Sequence, residues 1–244
     1  MSLYNFKKIE KELPGIKVSY FDSLPSTQSW LLNELSMASS LDLCPHLCIT
    51  DEQTSGVGRR TGTIWQAKAN KNLTMSLLMP VKELESSLPM RFLYSLLLRL
   101  KDIEPNIKFK WPNDLVLHDR KLAGIMIDIV KIESFNWVVL GFGLNLFDAP
   151  LGKAFLFENA RQEDVSSLVI DLVHCCLKVD ELVTEHIGKS LEPYHLLHQK
   201  QVVFKSAKGI YHGIVLGIDY RGGLILDVLG QEQVFYDGHV EKWD

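Results

Sequence analysis

Long apolar runs are missing from this 244-residue sequence, although 46% of its residues are hydrophobic. A membrane-spanning helix needs about 20 consecutive apolar residues, and the first segment, "MSLYNFKKIEKELPG", has no apolar core of the kind that signal peptides carry. We therefore predict a cytoplasmic protein with no membrane association. The net charge of −4 also lacks the basic excess of an extended nucleic-acid surface, so DNA is not expected as a partner.

Cysteine is scarce as well, with four residues at positions 44, 48, 175 and 176. Their spacing forms no CxxC pair and no disulfide framework, which is typical of a reducing compartment. Cys44, His46 and Cys48 alternate in "CPHLC", and an extended chain would place these three metal-ligand types on one face. A second ligand cluster is missing from the sequence, so we favour burial of all three side chains in the apolar core.

Strand-like and helix-like patterns are interspersed over most of the chain, which predicts an α+β fold. Strands are predicted at 16–22, 47–53 and 72–80, and helices at 26–38, 88–103, 164–187 and 191–199. Three further strand-like runs lie close together between residues 107 and 146, with a turn at 118–121. Hairpins at this spacing imply a mainly antiparallel sheet, which the helices would flank.

The sequence changes character after residue 199. Short strand-like runs with glycine-rich turns, and no helical pattern, fill the remaining stretch of about 45 residues. This composition is typical of a small SH3-like β-barrel. We predict a domain boundary here, which divides the chain into a larger domain at 1–198 and a barrel domain at 199–244.

The stretch "DEQTSGVGRRTGTIW" at 51–65 combines three glycines with two adjacent arginines. Gly56, Gly58 and Gly62 allow the backbone to approach a ligand closely, and Arg59 and Arg60 offer planar forks of donors that suit carboxylate or phosphate. The stretch is no Walker A loop, because the lysine and hydroxyl that follow the glycines there are absent. It is predicted to form an anion-binding loop between two strands, although a solvated surface loop has the same composition.

Two further segments carry polar residues at the ends of predicted strands. "KWPNDLVLHDRKLAG" places Asn113 and Asp114 at a strand entry and Lys121 and Gly124 across the predicted hairpin, and "GFGLN" spans 141–145. Each has an ordinary structural explanation. An Asx turn explains the first pair, an exposed hairpin position explains the lysine, and close backbone packing explains the glycines of the second segment.

Taken in order, these segments resemble the biotin protein ligases. "STQSWLL" is similar to the family's Ser-Thr-Asn helix start, and "GVGRRTGTIW" is similar to its GRGRRGxxW loop. "KWPNDLVLHDRKLAGIMID" is close to its central signature, and "GFGLN" to its GxGxN strand end. The resemblance is strong from about residue 20 to 147 and extends to the C-terminal barrel, which the family also has.

The resemblance implies an enzyme that joins biotin to ATP, forms biotinyl-5'-AMP and passes the biotinyl group to a lysine of a biotin carboxyl carrier domain. The carrier would belong to acetyl-CoA carboxylase or a related carboxylase, and a homodimer is left open. The implied fold is that of class II aminoacyl-tRNA synthetases and lipoate ligases. The implied cofactors and substrates are ATP, biotin and Mg²⁺.

The same resemblance implies the site residues. Those implied for biotin are Ser26, Thr27, Gln28, Gln53, Val57, Gly58, Arg59, Lys121, Gly124 and Gly141. Those implied for ATP are Arg59, Arg60, Trp65, Asn113, Asp114, Lys121 and Asn145. Arg59 and Lys121 would be catalytic, and Asp114 would be a ligand of Mg²⁺.

Four departures from the family pattern are visible. Gln28 replaces the usual Asn, Val57 stands where Arg is common, and one residue, Thr61, is inserted before Gly62. The helix-turn-helix domain of repressor-type members is absent from this sequence, so DNA binding by that route is not expected.

The chemistry of the residues agrees with the resemblance. Attack of a carboxylate on the α-phosphate of ATP brings two anions together, and fixed cations such as Arg59 and Lys121 would lower the barrier. Lipoate or octanoate ligation is the nearest alternative, but Ser26, Thr27, Gln28 and Gln53 suit a ureido ring better than an alkyl tail. A non-catalytic biotin sensor, or an RNA-binding protein that uses the barrel, is the more distant alternative.

Overall fold

The computed structural model describes residues 2–37, 43–59, 62–158, 162–182 and 184–243. Its α-helices are α1 (Phe6–Glu12), α2 (Thr27–Met37), α3 (Leu88–Lys101), α4 (Gln162–Leu177) and α5 (Ile187–Leu191). Its first seven strands are β1 (Lys17–Phe21), β2 (His46–Thr50), β3 (Asn72–Val81), β4 (Lys108–Lys110), β5 (Asp114–Leu117), β6 (Arg120–Ile132) and β7 (Phe135–Asn145). The last five are β8 (Gln201–Ser206), β9 (Gly209–Ile218), β10 (Leu224–Val228), β11 (Gln231–Phe235) and β12 (His239–Trp243).

The chain forms two compact units, and the first comprises residues 1–84 and 120–177. Its strands pair in the order β1-β2-β3-β7-β6, with β1 and β2 parallel and the other pairs antiparallel. The parallel pair is explained by α2, because parallel neighbours need a crossover connection and α2 lies between these two strands. The predicted α+β fold with a mainly antiparallel sheet is confirmed.

The core of the first unit lies between α2 and this sheet. Leu31 and Leu35, one helical turn apart, pack with Cys48 of β2, Leu78 of β3 and Val139 of β7. This packing fixes the N-terminal end of α2 over the middle of the sheet. Among the described residues, no helix is both long and apolar enough to cross a membrane.

Only two of the three side chains predicted to be buried in the "CPHLC" segment are buried in the structure. His46 and Cys48 are buried on β2, and the His46 ring nitrogen Nε2 lies 2.8 Å from the Ser19 hydroxyl. Cys44, however, is exposed, so its predicted burial is wrong, because β2 begins only at His46 and Cys44 precedes it. In the ranges that the structure covers, no three His, Cys, Asp or Glu side chains form a metal-binding group.

The second unit comprises residues 85–119 and 178–244. It contains α3, the antiparallel β4–β5 hairpin, α5 and a sheet with the strand order β11-β10-β9-β8-β12. The predicted barrel is this five-stranded antiparallel sheet, and it is not closed, since β11 and β12 do not pair anywhere in residues 201–243. The predicted boundary near residue 199 falls inside this unit and stays a prediction.

The long helix predicted at 164–187 is wrong, because α4 ends at Leu177 and two short 3₁₀ turns follow. Within the second unit, the guanidinium of Arg91, only 5% exposed, donates to the carbonyl of Val179 at 2.8 Å and to Asp180 at 3.2 Å. The same carbonyl accepts the backbone N–H of Leu182 at 3.2 Å, which closes the 3₁₀ turn at 179–181. The buried arginine therefore stabilises this turn. The short helix predicted at 191–199 is also misplaced, as α5 covers 187–191, and α1 and β12 were not predicted.

His195 is a buried base in the second unit. Its ring is 6% exposed and stacks on Phe109 at a centroid distance of 4.5 Å, and neither ring nitrogen has a hydrogen-bond partner among the described residues. Burial, assisted by the nearby His198, lowers the pKa of His195 from 6.5 to about 3. The folded protein therefore keeps this imidazole neutral at pH values well above its pKa.

We expect His195 to make the protein less stable as the pH falls from 6.5 towards 3. The unfolded chain takes up this proton near pH 6.5 and the folded chain does not, so the free energy of unfolding falls by up to roughly 1.4 kcal/mol per pH unit from this residue. Urea unfolding of wild type and His195→Phe at pH 7, 6 and 5 measures it. The variant should lose part of the pH dependence, whereas His212→Phe, at an exposed position of β9, should keep all of it; equal slopes for all three proteins would contradict the assignment.

Candidate active site

The floor of the candidate site is one face of β3, β7 and β6. Successive residues of a strand point to opposite faces, so Gly141, Gly143 and Asn145 of β7 share a face. Ser76 of β3 lies opposite Gly141 in the register, and Gly124 of β6 lies opposite Gly143. Small residues at these positions leave room for side chains from other segments.

The start of α2 brings three of the predicted biotin residues onto this floor. The hydroxyl of Ser26, the residue before the helix, accepts a hydrogen bond from the Ser29 N–H at 3.3 Å. The Thr27 N–H, which has no partner within the helix, donates to Gln53 Oε1 at 2.8 Å. Ser26, Thr27 and Gln28 are all buried, so the structure brings the predicted residues 26–28 and Gln53 together.

A continuous polar cluster connects Thr27, Gln28, Gln53 and Ser76. The Thr27 hydroxyl lies 3.0 Å from Gln53 Oε1 and 2.8 Å from the Ser76 hydroxyl, which in turn lies 3.0 Å from Gln28 Oε1. These three contacts are shared by two hydroxyl groups, each with a single hydrogen, and the two amide oxygens can only accept. The cluster is therefore short of one donor.

The loop at 56–65 folds back on itself as a short antiparallel pair. The Trp65 N–H donates to the Gly56 carbonyl at 3.0 Å and the Gly58 N–H to the Thr63 carbonyl at 2.9 Å, with a bridge between Val57 and Ile64. Gly62 has a φ of 79°, which favours glycine. The loop between strands is confirmed, and Val57 and Arg59 are exposed on it. The predicted ATP residue Arg60 and the inserted Thr61 lie outside the described residues.

A cavity of about 120 Å³ opens beside this loop. It is lined by Ile64, Trp65, Gln66, Lys121, Asn145, Pro150 and Lys153. Lys121 Nζ lies 5.8 Å from the centre of the Trp65 ring, and the buried indole N–H of Trp65 has no hydrogen-bond partner within the described part of the chain. Two ammonium groups and a buried donor make this cavity suitable for an anionic or acceptor-rich ligand.

The indole ring of Trp65 lies directly on β7. A Cβ atom at Gly143 would lie 2.5 to 2.9 Å from three atoms of that ring, closer than any real side chain allows. In the same way, a Cβ atom at Gly141 would lie 2.6 Å from Gln28 Oε1. The close packing expected at the glycines of "GFGLN" is therefore present, but the groups that approach are side chains and not another backbone.

Asn145 supports the wall of the cavity. Its side chain, 2% exposed, accepts from Asn72 Nδ2 at 2.8 Å and donates to the Ala154 carbonyl at 2.9 Å. The Ala154 N–H donates to the Lys121 carbonyl at 2.9 Å. The segment around Ala154 is thus tied to both β7 and β6, and it carries Lys153, which the sequence did not single out.

Asn113 and Asp114 belong to the second unit. Asp114 is the first residue of β5, opposite Lys110 of β4, and Asn113 lies in the turn that joins these strands. Close by, the indole N–H of Trp111 donates to the Gly222 carbonyl at 3.0 Å. The predicted turn near residue 118 is present, with positive φ at His118 and Asp119.

Asp128 and Ser76 are two further polar residues at this site that the sequence did not predict. Asp128 Oδ2 accepts from Gln28 Nε2 at 2.8 Å, and Ser76 joins Gln28 to Thr27. A signal exists for Asp128, because it is a charged residue inside the otherwise apolar strand run "GIMIDIV". The signal for Ser76 is weaker, because its run "NLTMSLLMP" also contains Asn72 and Thr74. Such residues need a buried partner, but the partner itself becomes evident only from the fold.

Comparison with known proteins gives consistent matches. The biotin/lipoate A/B protein ligase family matches residues 20–145. The bifunctional ligase/repressor BirA of Escherichia coli is 25% identical over 261 residues, which cover 100% of this chain and 77% of that protein. The biotin–[acetyl-CoA-carboxylase] ligase of Mycobacterium tuberculosis is 31% identical over 123 residues, covering 46% of this chain and 44% of that protein.

Solved structures of low sequence identity have the same fold. The biotin protein ligase of Aquifex aeolicus in complex with biotin and ATP has a TM-score of 0.73 at 20% identity, covering 93% of this chain and 98% of that one. The family match extends over more than half of the sequence and includes α2, the loop and the sheet floor. This chain is a member of the biotin/lipoate A/B protein ligase family.

Proposed function

We propose that this protein is an ATP-dependent biotin protein ligase. It activates biotin as biotinyl-5'-AMP and transfers the biotinyl group to a lysine of a biotin carboxyl carrier domain. The relative from Mycobacterium tuberculosis is named a biotin–[acetyl-CoA-carboxylase] ligase, and the Aquifex aeolicus ligase binds biotin and ATP. A cytoplasmic location is part of the same proposal. Family membership alone leaves biotin and lipoate as candidate acids, so the choice between them must come from the site.

The missing donor in the polar cluster carries the choice of biotin. Thr27, Ser76, Gln28 and Gln53 make three hydroxyl contacts with only two hydroxyl hydrogens. A ureido ring supplies N–H donors and a carbonyl acceptor, whereas the chains of lipoate and octanoate supply neither. A site with unfilled polar groups discriminates strongly against a ligand that cannot pair with them. The cluster therefore supports biotin.

We assign the binding of ATP, and the formation of the adenylate, to the cavity beside Trp65. A biotin carboxylate oxygen attacks the α-phosphorus and pyrophosphate leaves, so negative charge accumulates where the two reactants meet. Lys121 and Lys153 line the cavity and bring positive charge to it. We assign Lys121 and Arg59 to the reacting carboxylate and α-phosphate, because preorganised cations lower a barrier of this kind.

We assign Mg²⁺ to Asp114 and the phosphates of ATP, on the basis of the ligands that this ion prefers. Mg²⁺ is held in nucleotide sites by one or two carboxylates together with the substrate phosphates, and so a single carboxylate such as Asp114 is a sufficient protein contribution. When bound, the ion would neutralise phosphate charge. Asn113 and Asn145 are assigned to the nucleotide on the resemblance of their segments, although Asn145 also holds the cavity wall.

The second reaction needs no further cofactor. A neutral amine of the carrier lysine attacks the carbonyl of the adenylate, the amide forms, AMP leaves with the bonding electron pair, and the amine nitrogen releases one proton. Positioning of the two reactants supplies much of the rate in such a step. No cysteine or histidine is assigned a role in it.

We expect the purified protein to label a biotin carboxyl carrier domain in the presence of ATP, Mg²⁺ and labelled biotin. Labelled octanoate or lipoate under the same conditions should give a much weaker signal, since neither fills the polar cluster. Reactions without ATP, and a carrier whose acceptor lysine is replaced by arginine, are the controls. Preferential labelling by octanoate would favour the lipoate alternative, and biotin binding without labelling would favour a non-catalytic sensor.

A further inference from the structure

A tight turn at 150–153 borders the cavity of the candidate site. The Lys153 N–H closes the turn by donating to the Pro150 carbonyl at 2.9 Å, and Gly152 supplies the positive φ, 77°, that the turn requires. Pro150 and Lys153 both line the cavity. Leu151 follows Pro150 and is fully exposed, so the turn presents a leucine side chain to solvent beside the cavity.

The segment that follows this turn is tied to the sheet. The Ala154 N–H donates to the Lys121 carbonyl at 2.9 Å, and the Leu156 N–H donates to the Asn145 carbonyl at 3.0 Å. Phe155, between these two anchored residues, keeps 42% of its surface exposed. The main chain around the turn is therefore held by β6 and β7, while the apolar side chains at 151 and 155 remain accessible.

A third exposed apolar side chain belongs to the other segment that borders the cavity. Ile64, in the loop at 56–65, lines the cavity and is 71% exposed. Single exposed apolar residues are common on protein surfaces, but several of them grouped beside one site are typical of an interaction surface. We call Ile64, Leu151 and Phe155 the apolar rim.

The second reaction indicates which partner covers this rim. The acceptor lysine carries its amine on a flexible four-carbon stem, so the main chain of the carrier must come close to the cavity when the amine reaches the adenylate carbonyl. The carrier surface around that lysine must then contact the residues beside the cavity. Lys153 is exposed there, and its positive charge favours a carrier surface with acidic residues next to the acceptor lysine.

We propose that the apolar rim is the docking surface for the biotin carboxyl carrier domain. The carrier packs apolar side chains against Leu151 and Phe155 and places acidic ones next to Lys153. This proposal rests on the proposed function. An enzyme and its protein substrate meet transiently, so a few anchor side chains are enough to set the affinity. Neither Leu151 nor Phe155 lines the cavity assigned to ATP, so the first reaction should not depend on them.

The test compares Leu151→Ser with Leu229→Ser in biotinylation of the carrier domain. Leu229 is an equally exposed leucine that precedes a glycine of positive φ, in the turn between β10 and β11. In Leu151→Ser the KM for the carrier should rise about tenfold, because an apolar anchor is lost. In Leu229→Ser it should stay within about twofold of wild type. Leu151→Glu should raise it more than Leu151→Lys, since the facing carrier surface is acidic.

Two further rates separate docking from chemistry. ATP–pyrophosphate exchange needs only biotin and ATP, and hydroxylamine, a small nucleophile, takes the biotinyl group from the adenylate as the hydroxamate and releases AMP and a proton. Both rates should stay within about twofold of wild type in Leu151→Ser. An unchanged KM for the carrier, or an equal loss in exchange and in hydroxamate formation, would overturn the docking proposal. A wild-type protein without biotin-dependent exchange would overturn the proposed function, and the docking proposal with it.

Discussion

Replacing Lys121 with methionine is expected to lower the rate of biotin-dependent pyrophosphate release by 100-fold or more. Lys121 lines the cavity beside Trp65, where we place the reacting carboxylate and phosphate. Methionine retains the apolar stem of lysine and removes only the charge, so the cavity wall should keep its packing. The measurement is the initial rate at saturating biotin and ATP, with the thermal unfolding midpoint recorded for the same preparation.

Lys131→Met is the matched control for this change. Lys131 lies on the same strand, β6, and is exposed, so its loss should leave the rate unchanged. A Lys121→Met protein that folds and releases pyrophosphate at the wild-type rate would exclude Lys121 from the chemical step. Equal losses in both variants would indicate a general effect of charge and not a role in the cavity.

Alanine substitutions at Gly143 and Gly141 are expected to damage the two halves of the site separately. In Gly143→Ala the new methyl group overlaps the Trp65 ring, which must move from the cavity. We expect the KM for ATP to rise by about tenfold or more, with a smaller effect on biotin. In Gly141→Ala the methyl group meets Gln28 Oε1 instead, and the KM for biotin should rise more than that for ATP.

A double substitution tests whether the Gly143 effect acts through the indole ring. In a Trp65→Ala background the ring is absent, so Gly143→Ala should have almost no further effect on the unfolding midpoint.

The Michaelis constants of the two single glycine variants, Gly141→Ala and Gly143→Ala, are measured on the same preparations. If both variants raised both constants equally, the division of the site along β7 would be wrong.

The sequence predicted much of the fold because hydrophobic periodicity is local. The strands at 17–21, 72–81 and 135–145 and the helices α2 and α3 lie within or close to their predicted ranges. The single long helix expected at 164–187 failed for a tertiary reason. The 3₁₀ turn that follows the end of this helix is held by Arg91, which is distant in sequence and donates to the Val179 carbonyl.

The candidate site could be predicted where a short motif carries its own chemistry. Thr27, Gln28, Gln53, Trp65 and Lys121 were all named from the sequence, and the structure gathers the first three in one cluster and the last two around one cavity. Ser76, Asp128 and Lys153 were missed, because their importance depends on strand register and on a loop that folds back to β6.

The positions of Gly141 and Gly143 on β7 also limit how the site can change. They are one two-residue repeat apart, about 7 Å along an antiparallel strand, so the spacing between Gln28 and Trp65 is set by backbone geometry. Insertion or deletion of a single residue there would turn one contact to the opposite face of the sheet. A change in the length of β7 cannot widen the spacing between Gln28 and Trp65 in small steps. An enzyme adapted to a bulkier acid would therefore need different side chains at Gln28 or Ser76.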